Sequence, residues 1–152
     1  MKWHPITIPL LGLVLCVGIA YAGTKVLSDG DEVFIINGNL TVGGSLYADE
    51  INLGDSPEVT IASDAITKTK GNLLVDTESD ASTDDLSTIN GGKPGDRLIL
   101  RAVNGARSVV IKDSVGNIET VGDFVLDNTQ DTFELLYDGT SWVELSRANN
   151  GA

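Results

Sequence analysis

The chain has 152 residues, 41% of them apolar and 5% aromatic, with 17 glycines and a formal charge of −12. Its size suits one domain with appendages, and its glycine content favours turn-rich β structure over long helices. The acidity argues against non-specific nucleic-acid binding, which needs Lys and Arg to displace counterions from phosphates, and one histidine and one cysteine leave little for nucleophilic or thiolate chemistry.

Met1-Lys2-Trp3-His4-Pro5 precedes an apolar run at residues 6–22 that ends in the small-residue site Ala20-Tyr21-Ala22. This is the pattern of a secretory signal peptide. The alternative is a retained membrane anchor, though the run falls short of the roughly 20 residues that span a bilayer and carries Pro9, Gly12 and Gly18. A membrane contact is expected only through residues 6–22, and only if they are uncleaved. Cleavage after Ala22 would remove both His4 and Cys16. The exported remainder then has no Ser-His-Asp or Cys-His nucleophile, no disulfide and no typical zinc site. No phosphate-binding loop or dinucleotide fingerprint occurs, and nothing singles out a carboxylate pair for glycoside hydrolysis. The expectation is a non-enzymatic extracellular protein without a cofactor.

Residues 23–65 read as a strand-rich stalk or assembly segment. Asp29-Gly30-Asp31-Glu32 leads into Val33, Phe34, Ile35 and Ile36, a strand covered on both faces or docked on a partner. Leu40 with Val42, Leu46 with Ala48, and Ile51 with Leu53 then alternate between Gly and Asn punctuation. Such rungs are too short to bury a core alone, so stacking or trimeric winding is expected.

Residues 66–152 read as a compact β domain. The stretch 76–85, DTESDASTDD, is a solvated acidic loop. Asp76, Glu78 and Asp80 alternate as calcium ligands do, but Ala81 and Ser87 stand where an EF-hand needs glycine and glutamate. Gly91-Gly92-Lys93-Pro94-Gly95-Asp96 is a turn cluster. Next, Leu98, Leu100 and Ala102 alternate against Arg97, Ile99, Arg101 and Val103, an inner strand, with residues 108–112 as its expected hairpin partner across Asn104-Gly105. Lys93, Arg97, Arg101, Arg107 and Lys112 supply half of the ten basic residues. On facing strands they would form a basic stripe suited to an acidic glycan or to a neighbour's acidic loop.

Residues 131–146, DTFELLYDGTSWVELS, read as a β-hairpin. A three-residue loop ending at Gly139 would pair Phe133 with Val143, Leu135 with Ser141, Glu134 with Trp142 and Thr132 with Glu144. Phe133, Leu135, Val143 and Leu145 would then face the core. Leu136 and Trp142 would lie on a second, partly apolar face that calls for a neighbouring sheet or subunit. Turn signals about every 8–12 residues point to a β-sandwich or jelly roll.

Leu86-Ser87-Thr88-Ile89-Asn90-Gly91-Gly92, Gly95-Asp96-Arg97-Leu98-Ile99-Leu100-Arg101, Ser108-Val109-Val110-Ile111-Lys112-Asp113, Gly122-Asp123-Phe124-Val125-Leu126 and Leu136-Tyr137-Asp138-Gly139-Thr140-Ser141-Trp142-Val143-Glu144-Leu145 occur in an order similar to that of a module of phage tail fibres and other virion structural proteins. Gly38-Asn39-Leu40-Thr41-Val42-Gly43-Gly44 resembles the glycine-punctuated shafts of such fibres. The resemblance implies a β-rich, often trimeric knob that builds an appendage or meets a host surface. Tail proteins need no export signal, so an exported filament subunit or adhesin assembled by strand addition stands beside that reading. Either way the expected partner is the chain itself, as a homotrimer or filament, with a cell-surface glycan as a second partner.

Overall fold

The computed structural model describes residues 44–45 and 50–151. By its internal contacts the chain divides into two units, Met1–Tyr47 and Ala48–Ala152, and all but two of the described residues belong to the second. The sequence-derived assembly strand of Val33, Phe34, Ile35 and Ile36 lies outside them.

The described residues are all β apart from one 3₁₀ turn. In chain order the strands are β1 (Glu58–Thr60), β2 (Ala65–Thr67), β3 (Asn72–Asp76), β4 (Thr83–Leu86), β5 (Thr88–Asn90), β6 (Arg97–Ala102), β7 (Ser108–Ile111), β8 (Ile118–Glu119), β9 (Phe124–Leu126), β10 (Thr132–Tyr137) and β11 (Trp142–Ala148), with the turn at Glu78–Asp80. They form sheets of six strands (β1-β3-β6-β10-β11-β8), three strands (β4-β7-β9) and two strands (β2-β5).

The expected sandwich or jelly roll is replaced by a solenoid-like stack. A sandwich is built from antiparallel neighbours, whereas here β1 pairs parallel with β3, β3 with β6, β2 with β5 and β4 with β7. The chain therefore coils: β1 and β2 belong to a first coil, β3 to β5 to a second and β6 to β8 to a third. The turn signals mark coil corners. For the same reason β6 and β7 are not a hairpin: Asn104-Gly105 turns the chain from one face of the coil to the next. Ile61 and Ile66 from the first coil, Leu73, Val75, Leu86 and Ile89 from the second, and Leu98, Leu100, Val109 and Ile111 from the third share one buried core. Alternation in β6 is as the sequence predicts, with Leu98, Leu100 and Ala102 buried and Arg97, Ile99 and Arg101 facing outward. Each buried aliphatic side chain contributes about 1.5–3 kcal/mol relative to exposure.

The last three strands close the stack. β9 adds antiparallel to β7, β10 antiparallel to β6 and β11 parallel to β8. Because β10 and β11 also pair with each other, the coil is pinched shut at this end. Where β5 needs a neighbour, Asn117 supplies one from its side chain. Ile89 N donates to Asn117 Oδ1 (2.8 Å) and Asn117 Nδ2 donates to Ile89 O (2.9 Å), which continues the parallel ladder without a strand. Gly116 makes this approach feasible. Its φ is +68°, and a Cβ there would lie 2.3 Å from Ser87 O, so only glycine fits.

Candidate interaction surface

The C-terminal hairpin forms where the sequence places it, but in a different register. Its turn spans four residues, with Asp138 N donating to Ser141 O (3.0 Å) and Asp138 Oδ1 accepting from Thr140 N (2.7 Å) and Ser141 N (2.8 Å). A bulge then falls opposite Glu134 and Leu135. Phe133 consequently pairs with Arg147, Leu135 with Glu144 and Tyr137 with Trp142. Three assignments are corrected. Trp142 is fully buried in the core, whereas Val143 and Leu145, expected inside, are 38% and 46% exposed. The four-residue turn moves Trp142 to the inward side, and the bulge takes Leu145 out of the ladder. Leu136 remains on the outward face, half-buried.

Beyond Trp142 the inward positions of β11 become ionic. Glu144 and Arg147 form an ion pair. The Arg147 guanidinium lies over the rings of Phe124 (5.1 Å) and Phe133 (5.3 Å), which stack on each other, and it donates to Gly122 O (3.1 Å). Glu144 Oε2 in turn accepts from Val121 N (3.0 Å). This pair is a polar lid on the closed end of the core, the role a capping repeat has in a solenoid.

The basic residues do not collect into one stripe. Arg97 and Arg101 share the outward face of β6, and Lys93 lies in the exposed turn before it. Arg107 precedes β7 and Lys112 follows it, on a different sheet. Three of the five are engaged within the chain: Arg97 with Glu134, Lys112 with Asp123, and Arg107 with both Asp76 (2.7 Å) and Asp80. The acidic loop thus receives its cation from the same chain. Asp76 is buried and accepts from Thr77 N (2.9 Å), while Glu78 N donates to Asp84 Oδ2 (2.7 Å). The two aspartates of the calcium candidate are therefore held by a guanidinium. Among the described residues no group of three or more His, Cys, Asp or Glu side chains is placed to hold a metal ion.

Several carboxylates are stabilised in their charged form. Glu144 is held below its ordinary 4.5 chiefly by the hydrogen bond from Arg147, and Asp96 below 3.8 chiefly by that from Lys68. Asp113, Asp123 and Asp138 are lowered chiefly by backbone N–H donors, those of Thr120, Asp113 and Ser141 respectively. A folded-state pKa below the unfolded one adds stability above the unfolded value and loses it as pH falls through the folded one. The fold is therefore expected to be most stable near neutrality and to weaken progressively below about pH 5. A melting temperature that stays flat from pH 7 to pH 2 would contradict this.

The outward face of the six-stranded sheet remains as the candidate surface. Leu74, Ile99 and Leu136 are half-buried there and Val143 is exposed, among Glu58, Arg97, Arg101 and Glu134. Sequence reasoning found this face through Leu136 and the β6 alternation. It missed Leu74 and Val143, whose placement depends on which strands pair. Comparison with family models, with curated proteins and with solved structures finds no match to this chain.

Proposed function

We propose that the protein is a non-enzymatic structural module of an extracellular, fibre-like or virion-type appendage, that it self-associates, and that it can meet a surface glycan or receptor. The observation that carries this reading is the polarity of the stack. One end is sealed by β10, β11 and the Glu144–Arg147 lid. At the other, β1 and β2 have no further strand beside them among the described residues, and the chain reaches β1 through residues 50–56 with Ile51 and Leu53 exposed. A module sealed at one end is suited to terminate an elongated assembly. The tail-fibre resemblance supports the appendage role, and the export-type N-terminus supports the extracellular setting, which the filament or adhesin reading shares. For glycan contact, Lys93 and Arg101 form no ion pair among the described residues, which leaves them available to an acidic sugar.

The test is light scattering and negative-stain electron microscopy on the purified, processed protein. A closed oligomer with elongated particles is the expected result. A species that stays monomeric at every concentration would overturn the reading. The exported filament subunit or adhesin, assembled by strand addition, would instead give an open-ended ladder of sizes. The outer edge of β1 is the feature that favours it, although the strand has only three residues, follows Pro57 and exposes Glu58, which makes a blunt edge.

A further inference from the structure

Asparagine followed by glycine is a chemically labile pair, because glycine has no side chain to shield its amide nitrogen from the preceding carboxamide. Three such pairs lie among the described residues, Asn90-Gly91, Asn104-Gly105 and Asn150-Gly151, and the fold treats them differently. Asn90 ends β5 beside Thr67 in the parallel ladder, where its carbonyl accepts from Lys68 N (2.9 Å), and Gly91 packs on Lys68 with φ +84°. Asn150 is fastened twice, its N–H donating to Asp131 Oδ1 (2.8 Å) and its Nδ2 to Gln130 O (2.9 Å). Asn104 and Gly105 are instead exposed at the corner between β6 and β7. There Asn104 Oδ1 accepts from Ala106 N (2.8 Å), and the turn is closed by Arg107 N donating to Asn104 O (3.2 Å). Neither Asn104 Nδ2 nor the N–H of Gly105 donates to another group among the described residues.

We propose that Asn104 is a site of spontaneous deamidation and isoaspartate formation, with solvent water as the co-reactant. The bond from Ala106 folds the Asn104 carboxamide back over its own main chain on the Gly105 side. The same N–H points at the oxygen on which negative charge develops when that carboxamide is attacked. Gly105 N gives its proton to a solvent base and bonds to Asn104 Cγ. The Cγ–Nδ2 bond then breaks, and the leaving amine takes up a proton and departs as ammonia, which leaves a cyclic succinimide. Water opens the ring at either carbonyl to give aspartate or isoaspartate, and nothing is oxidised or reduced. Either product adds a carboxylate to the turn that carries Arg107, the residue that holds Asp76 and Asp80. The isoaspartyl form also lengthens the main chain by a methylene, which breaks the bond from Arg107 N and loosens the corner that anchors the acidic loop.

The test incubates the full chain in mildly alkaline buffer made with heavy-oxygen water and follows its peptides by mass spectrometry, with an isoaspartyl methyltransferase to mark the rearranged product. Asn104 is expected to convert about tenfold faster than Asn90 or Asn150, because opening the hydrogen bonds that hold those two lowers their reactive population by that order. The product should carry one heavy oxygen, and in urea the three rates should converge. Gly105→Ala, which sets a methyl group beside the attacking nitrogen, should slow Asn104 severalfold and leave Asn90 and Asn150 at their parent rates. If those two accelerate in the variant, its fold is lost, and the parent's rates in buffer and in urea decide. An Asn104 that converts no faster than Asn90 or Asn150 in the folded chain, or whose lead persists undiminished in urea, overturns the proposal. So does an Asn104 rate unchanged by Gly105→Ala in a variant that keeps its fold.

Discussion

Replacing Trp142 with alanine is expected to destabilise the fold by about 3–5 kcal/mol, the range for removing a large aromatic side chain from a packed core. The residue is fully buried and lies where three parts of the chain meet. Its backbone N–H donates to Asn117 O (2.8 Å) and its indole Nε1 to Ile89 O (3.0 Å), which ties β11 to β5 and to the turn before β8. The indole packs on Tyr137 with ring centroids 5.1 Å apart. Both rings fit against Gly92 so closely that a Cβ there would lie 2.8–2.9 Å from them. Alanine would therefore leave a cavity at the point where β11 closes the stack. Trp142→Phe keeps much of the volume and loses only the indole donor, so its cost should be smaller, about 1–2 kcal/mol. Urea unfolding followed by circular dichroism checks both. An unchanged midpoint for Trp142→Ala would mean that the closure does not depend on this side chain.

The second large effect is expected at Asp131, whose carboxylate is fully buried at the start of β10. Oδ2 accepts from Asp127 N (3.2 Å) and Asn128 N (3.0 Å), and Oδ1 accepts from Asn150 N (2.8 Å). One side chain thus satisfies three backbone donors and fastens the C-terminal residues to the loop between β9 and β10. Asn150 adds a bond from its Nδ2 to Gln130 O (2.9 Å). Asp131→Asn has nearly the same shape but turns one acceptor into a donor facing a donor. A loss of about 2–3 kcal/mol is expected, since hydrogen bonds to charged groups are among the stronger ones and a buried unpaired N–H is costly. Thermal melts measure the loss, and hydrogen exchange should show lost protection at Asn128 and Asn150. Full stability in Asp131→Asn would show that the loop is held by its packing alone.

Neither residue was marked for this role by its sequence context. Asp131 reads only as the polar residue that opens a strand, and nothing local announces that three N–H groups will converge on it. Trp142 sits in an alternating run whose facing depends on the turn. The Asp-Gly pair at 138–139 suits a three-residue loop, yet the Asp138 side chain accepts from Thr140 and Ser141 and holds a four-residue turn instead. With a bulge at Leu145, this was enough to exchange inside and outside on most of β11. The basic residues show the same limit. Their clustering in sequence suggested a shared face, whereas the coil distributes them over two sheets and gives Arg107 to the chain's own acidic loop.

By itself the sequence determined that the described part of this chain is built of short strands, where β6, β7 and the C-terminal hairpin run, and which residues of β6 are inward. Those are properties of a two-residue period and of glycine and asparagine turns, both local. Only the tertiary structure decided that the strands stack in parallel coils instead of meandering, that Asn117 stands in for a missing strand, and which outward residues share a row. Coils of unequal length leave no repeat to read, with Val59 beside Val75 but Leu74 beside Arg101. Pairing across such distances is chosen by burial of the whole core, a quantity that no single stretch of chain contains.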